Sequence, residues 1–236
     1  MNITGLLWRL MPVRERAAIL DLAPHYKQRH IERILKGRAG YQPCFDQHKA
    51  LFIHIPKSAG RSIVRGLFDV KSVEHAPADW YQLLDPEKFD RYFKFTFVRN
   101  PWDRAVSAYT YLLQGGSAAS DEDQEWSRFV ASFESFDDFA KQWITAENVQ
   151  RYALFTPQCA FLKDKFGRIS MDFIGRFENL EQDFATVAQR LGTQTNLPHI
   201  NSSRSRDFRD YYSEASVQAV AKAYAEDIET LEYQFR

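Results

Sequence analysis

The sequence predicts an α/β protein with a central, mainly parallel sheet flanked by helices. Three observations predict it. The runs KALFIHIP (49–56) and YFKFTFV (92–98) are short, apolar and rich in aromatic and β-branched residues, as strands buried on both faces are. A third run, ISMDFIGRF (169–177), has the same character. Segments with helical periodicity and helix caps lie between and after these runs, and strands that alternate with helices imply parallel pairing under two helical layers. Crossovers in such a sheet are right-handed, and ligands bind beyond the carboxyl ends of its strands.

Composition narrows the class. The 236 residues suit one α/β domain with a helical addition, and 44% of them are hydrophobic, enough for a normal core. The aromatic content, with 19 Phe, reads as a thick core rather than a stacking platform. Lys+Arg and Asp+Glu balance at 31 each, so nothing global attracts nucleic acid, and any anion site is local. Cys44 and Cys159 are the only cysteines, without CxxC spacing, which argues for a reducing compartment and against structural zinc.

Taken in order, residues 1–48 read as an N-terminal helical extension. Its apolar run Leu6–Met11 is interrupted by Arg9 and is too short for a membrane span or a secretory segment. It reads as an amphipathic helix packed on the domain, with peripheral membrane contact as the alternative, and the expected location is cytoplasmic. Two helices fill 12–36, the second starting at Pro24. After the first strand, Ile63, Val64, Leu67 and Phe68 make one apolar helix face. After the second, Asn100 is an N-cap, Pro101 sits at N1 and Asp103 at N3, with Trp102, Val106, Tyr109 and Leu113 on one face. Residues 114–127 read as loop, Ser135 and Asp138 as a capping box, and 178–192 as a helix closed by Gly192. Loop returns at 197–208, and Ser213 caps a last helix with the stripe Val217, Val220, Ala221, Tyr224, Ile228 and Leu231. No internal repeat or low-complexity tract is present.

Two strand-to-helix turns carry the chemistry. In PKSAGRS (56–62) a helix N-terminus aims backbone N–H groups outward, Ala59 and Gly60 let the backbone approach a ligand, Lys57 adds a charge, and Ser58 and Ser62 add hydroxyls. This suits phosphate or sulfate. The loop is not a Walker A motif, because its lysine precedes the glycine. Alone, it reads equally well as an ordinary turn with a solvated lysine. In VRNPWDRAVSAY (98–109), Arg99 lies at a strand end and Ser107 two turns into the next helix, so the pair can grip a second phosphate. The alternatives are an Arg99 that pairs with Asp103 or with a carbonyl, and a Ser107 that merely packs. Two such turns on one sheet edge suggest a ligand with two separated anionic groups.

The segments HIPKSAGRSI (54–63) and FTFVRNPWDRAVSAY (95–109) together resemble the paired signature of sulfotransferases that use 3′-phosphoadenosine 5′-phosphosulfate (PAPS). The closest resemblance is to the carbohydrate-directed branch, which includes heparan and chondroitin sulfotransferases and bacterial relatives. It extends through IGRFENL (174–180), LPHINSS (197–203) and YAEDIETLEYQF (224–235), and so covers a domain at 49–236. The resemblance implies a P-loop-containing nucleotide-binding fold and transfer of a sulfuryl group from PAPS to a carbohydrate or glycan hydroxyl. Residues 57–62, that is Lys57, Ser58, Ala59, Gly60, Arg61 and Ser62, would hold the 5′-phosphosulfate, and Arg99 with Ser107 the 3′-phosphate. Arg61 departs from the Thr or Ser of many relatives, and either adds charge at the sulfonate or points away.

Lys57 would neutralise charge on the bridging oxygen, and no metal is required. Of the six histidines, His75 lies between the two motifs, as does the histidine of the carbohydrate relatives, and is the expected base; Glu74 is the fallback. His25 and His30 have no reason to approach the site, His48 precedes the first strand, His54 reads as core or supporting, and His199 as substrate-side or structural. In NSSRSR (201–206), Arg204 and Arg206 either close over the nucleotide or form a solvated turn. The acidic 114–127 segment can cover the acceptor and suits a heavily sulfated polymer poorly. The rival readings are a small ATP-dependent P-loop kinase and a nucleotide-binding protein without catalysis.

Overall fold

The computed structural model describes residues 40–193, 195–198 and 206–236, together with Met11, Pro12, Glu15 and Ala18. Apart from those four positions, the helices expected within 12–36 and the run at Leu6 lie outside the described residues, as do His25, His30, His199 and Arg204.

Three parallel strands form the sheet, in the order β1-β2-β3, with β1 Ala50–Ile53, β2 Phe93–Val98 and β3 Phe173–Arg176. Ala50 pairs with Phe93 and Ile53 with Thr96; Phe95 pairs with Phe173 and Val98 with Arg176. The carboxyl ends of all three strands therefore finish side by side. Helix α1 (Pro43–His48) precedes β1; α2 (Gly60–Phe68), α3 (Ala78–Leu84) and α4 (Pro86–Arg91) join β1 to β2. Helices α5 (Pro101–Leu113), α6 (Asp121–Val130), α7 (Phe136–Trp143) and α8 (Gln158–Leu162) join β2 to β3. After β3 come α9 (Leu180–Arg190), α10 (Glu214–Ala223) and α11 (Ala225–Thr230).

The strands form where expected because their side chains are apolar on both faces: every residue of β1 is buried, and so is all of β2 except its first. Phe52 stacks on Phe95 at 5.1 Å, and Gly175 lets β3 lie close to β2, since a Cβ there would sit 2.7 Å from the Phe97 ring. Phe45 of α1 is fully buried against Phe68 and Tyr81, so the core reaches into the segment read as an extension. Cys44 and Cys159 are buried free thiols. Among the described residues no helix is long and apolar enough to cross a membrane.

Several boundaries differ from expectation. β1 stops at Ile53 rather than Pro56, and β3 starts at Phe173 because Ile169 bridges antiparallel to Lys163 instead. The segment 114–127 is not all loop: Ser120 accepts from the Asp123 amide and starts α6. Leu113 is exposed, and Leu112 takes the buried position at that end of α5. Ser135 accepts from the Asp138 amide, but the Asp138 carboxylate turns to Gln142, so the capping box is one-sided; Ser213 and Ser216 form a complete one. The last helix breaks at Tyr224.

That break serves a buried polar network. Tyr224 donates to the Phe155 carbonyl at 2.6 Å, and Asp227 accepts the amides of Gln158 at 2.7 Å and Cys159 at 2.8 Å. Arg104 of α5, buried at 1% exposure, donates to the carbonyls of Leu154, Phe155 and Thr156. The segment 154–159 is thus fixed from both sides by side chains rather than by a sheet ladder. Asp227→Ala leaves two buried amides without an acceptor and is expected to destabilise the fold by about 3 kcal/mol. A urea titration should show a lower midpoint at unchanged slope, and an unchanged midpoint would contradict the assignment.

Candidate functional site

The first turn leaves β1 through His54, Ile55 and Pro56. Lys57 (φ 68°) and Ala59 (φ 61°) both take the left-handed conformation, which costs a non-glycine residue about 1 kcal/mol or more. Ala59 is the N-cap of α2 and supplies no side-chain cap, and the first turn of α2 contains no acidic residue. Ser62 and Ile63 direct their amides to the Ala59 carbonyl, whereas among the described residues the amides of Ala59, Gly60 and Arg61 have no backbone acceptor. Such a concave run of N–H groups at a helix start suits an anion. Ser58 and Ser62 are buried, the Ser58 hydroxyl without a partner among the described residues, while Arg61 is exposed.

Gly60 also makes room for a side chain beneath the loop. A Cβ on Gly60 would lie 1.8 Å from His54 Nε2, so the imidazole fills the space beneath the loop. His54 stacks on Phe52 at 5.4 Å, and its Nδ1 donates to the Val73 carbonyl at 3.2 Å. The rings of His54 and His75 are 3.9 Å apart, and His75 Nδ1 donates to the His54 carbonyl at 2.9 Å. With that proton committed to a carbonyl, the lone pair of neutral His75 is on Nε2. Burial pushes His54 well below the usual imidazole range, and the neighbouring His75 and Arg61 push it further. Burial also lowers His75, opposed by the His54 carbonyl and by Asp123. Both rings are therefore neutral near pH 7.

The second turn follows β2. Asn100 accepts from the Trp102 amide and Pro101 opens α5, as the sequence indicates. The Arg99 guanidinium reaches across to the first turn: Nη1 donates to the Lys57 carbonyl at 3.1 Å and to Ser107 Oγ at 3.2 Å. Its Nε donates to Asp103 at 2.6 Å, so the Asp103 pair and the Ser107 contact coexist. The ring of Phe177, just beyond β3, lies 3.8 Å from the guanidinium carbon. The Gln158 side chain pairs with both backbone groups of Arg99, at 2.9 and 2.8 Å. Glu178 accepts the Asn100 amide at 2.6 Å and the Tyr233 hydroxyl at 3.0 Å. Lys57, Ser58, Ala59, Gly60, Arg61, Ser62, His75, Arg99 and Ser107 thus gather at one edge of the sheet.

A third wall comes from α5 and α6. Lys57 Nζ lies 4.1 Å from the centre of the Tyr111 ring. Asp123 accepts from the hydroxyls of Tyr111 (2.7 Å), Tyr152 (2.5 Å) and Ser120 (3.0 Å) and from the Ser117 amide (2.9 Å). Burial would raise the Asp123 carboxyl, but these four donors prevail and hold it below the usual range. It is a structural carboxylate rather than a solvated loop acid. Arg206 is exposed and pairs with Asp210, and Glu74 is half-buried. Among the described residues no cluster of three or more His, Cys, Asp or Glu side chains is arranged to hold a metal. A cleft of about 430 Å³ opens at the other end of the sheet, lined by Tyr92, Lys94, Asp172 and Arg190, and does not include the two turns.

Gln158, Phe177, Glu178, Tyr111, Asp123 and Tyr152 are not singled out as site residues by sequence reasoning. Phe177 and Glu178 sit within the IGRFENL segment, a positional signal; the others act through distant partners that no spacing reveals. Gly60→Ala is expected to destabilise by about 2 kcal/mol through overpacking against His54. Adding His54→Ala should make the Gly60 change nearly neutral, and additive effects in urea would contradict the contact. The depressed imidazoles also set a pH dependence: their contribution is complete above about pH 6.5 and is lost as the pH falls, because the unfolded chain then takes up protons that the fold refuses. Replacing His75 by Asn should reduce the stability difference between about pH 7.5 and about pH 5.5; an unchanged difference would contradict the neutral assignment.

Comparison with known proteins gives a family. An uncharacterised protein of Archaeoglobus fulgidus is 34% identical over 124 residues, covering 51% of this chain and 86% of that protein. No solved structure gives a significant match. A model of the sulfotransferase family matches residues 44–234, from α1 through the C-terminal segment and across both turns. The chain belongs to the sulfotransferase family.

Proposed function

We propose that the protein transfers a sulfuryl group from PAPS to a hydroxyl of a carbohydrate or glycan, on a P-loop-type nucleotide-binding fold in the cytoplasm. The observation that carries this reading is the Arg99 guanidinium, which touches the Lys57 carbonyl and Ser107 together and so makes the two anion-capable turns walls of one site. A donor with a phosphosulfate at one end and a phosphate at the other matches two such turns, and family membership supports sulfuryl transfer as the chemistry. The residues fit the donor: the uncapped α2 start and the unpartnered Ser58 hydroxyl offer hydrogen bonds to an oxyanion, and Arg99 with Ser107 offers a guanidinium and a hydroxyl to the 3′-phosphate. Arg204 is carried as a further phosphate contact, and Arg61 as an exposed charge beside the loop.

The donor, when bound, supplies the sulfuryl group. The chain's own work is positioning and electrostatics. Lys57 offers a cation where negative charge builds on the leaving oxygen. His75, with Nδ1–H held by the His54 carbonyl, offers Nε2 to the acceptor hydroxyl proton. Because His75 is depressed, it stays an available base below the ordinary imidazole range, and the acid limb of the rate profile should lie below about pH 6.5. The acceptor is a carbohydrate by family resemblance alone.

Incubation with sulfate-labelled PAPS and a panel of glycans tests the reading, with product identified by mass. His75→Ala is expected to lower turnover at least about 100-fold while 3′,5′-bisphosphoadenosine affinity stays within a few-fold. Turnover near wild type would remove His75 as base. Stabilisation by ATP with magnesium but not by the bisphosphate would overturn the donor assignment.

A further inference from the structure

We infer that Tyr111 is a positioning residue for Lys57, and that Asp123 holds Tyr111 in place. The inference rests on the sulfotransferase reading of Lys57 and adds a component to it. A lysine side chain has four rotatable bonds and a hydrated ammonium, so its loop alone does not decide where the charge sits. Here the ammonium lies 4.1 Å from the centre of the Tyr111 ring, a distance at which the ring face attracts a cation. The backbone beneath is held separately, by the left-handed conformation at Lys57 and by Arg99 donating to its carbonyl.

Tyr111 is itself held. Its hydroxyl donates to Asp123 Oδ2 at 2.7 Å, and Tyr152 donates to the other oxygen at 2.5 Å. Trp126 of α6 stacks on Tyr152 at 4.9 Å with the rings 3° from parallel. Gln124 donates to the Gly115 and Ser117 carbonyls, closing the turn between α5 and α6. The ring that faces Lys57 is therefore fixed at its far end by a carboxylate with four donors, in a segment that otherwise reads as solvated acidic loop. This also explains the placement of an acidic helix start beside a site for anions: the Asp123 charge is fully engaged, and Asp121 and Glu125 are exposed on α6.

The test compares Tyr111→Phe, Tyr111→Leu and Asp123→Asn in the full chain by two readouts. The first is the rate at which acetic anhydride labels Lys57, followed by mass spectrometry, which needs no activity. The second is the split between kcat and affinity for 3′,5′-bisphosphoadenosine. Tyr111→Leu is expected to raise Lys57 labelling severalfold and lower kcat about tenfold or more, the scale of a desolvated cation–π contact, with bisphosphate affinity within about threefold. Tyr111→Phe keeps the ring and loses only the Asp123 bond, and should show a smaller loss of two- to fivefold. Asp123→Asn should resemble Tyr111→Phe, and it serves as the second variant if Tyr111→Leu does not fold. Equal impairment by Phe and Leu, or unchanged labelling and kcat in Tyr111→Leu, overturns the inference. If the wild-type protein transfers no label from PAPS, the sulfotransferase reading fails while the labelling rates still decide the Lys57–Tyr111 contact.

Discussion

The Arg99 guanidinium is the point on which the site depends. Its strand, β2, is central in a three-stranded parallel sheet, so the turns after β1 and β2 must open on the same edge. Within that constraint Arg99 spans the gap, joining the Lys57 carbonyl, Ser107 and Asp103 while Phe177 covers one face. An arginine side chain at 11% exposure is costly to desolvate unless its donors are satisfied, and here the acceptors come from the first turn and from α5, with Phe177 over one face. Further polar contacts hold the chain just beyond β2: Gln158 pairs with the Arg99 backbone, and Glu178 links Asn100 to Tyr233 near the C-terminus. The buried carboxylate of Asp227 then ties the Gln158 amide to the last helix, so the site and the C-terminal segment form one polar framework.

Against this rigid side stands a strained one. Lys57 and Ala59 take left-handed conformations, α2 begins without a side-chain cap, and Ser58 buries a hydroxyl that has no partner among the described residues. Each feature costs free energy in the folded chain, and together they mark the loop as shaped for something other than stability. The surrounding structure tolerates the strain because the loop rests on the His54 ring, which is pinned by Phe52, Val73 and Gly60. His54 thereby has two functions in one ring: it supports the phosphate-type loop from below and, through its carbonyl, orients His75. The anion-capable loop and the His75 ring are consequently placed by the same residue.

Elements that depend on local chemistry were legible from the sequence. The buried strands follow from apolar runs, and the start of α5 follows from Asn100 and Pro101, because caps and fixed φ act within a few residues. The proximity of the two turns was also legible, since parallel pairing forces it. Long-range side-chain bonds were not. Gln158, Asp123 and Asp227 are ordinary polar residues in sequence, and most of their partners lie between 12 and 69 positions away. The role of Gly60 escaped for a related reason: backbone freedom near a ligand and clearance for a buried ring leave the same letter in the chain. Tyr224 continued the apolar stripe of the last helix, and only its hydroxyl bond to Phe155 shows why the helix stops there.

The central claim is that two turns form one site for an adenosine donor anionic at both ends. Calorimetric comparison of 3′,5′-bisphosphoadenosine with adenosine 5′-monophosphate, on the wild type and on Arg99→Ala, tests it most directly. The account predicts that the wild type prefers the bisphosphate by at least about tenfold, the scale of one charge-assisted contact, and that Arg99→Ala erases the preference. Equal affinity of the wild type for the two nucleotides, or a preference that survives the loss of Arg99, would contradict it.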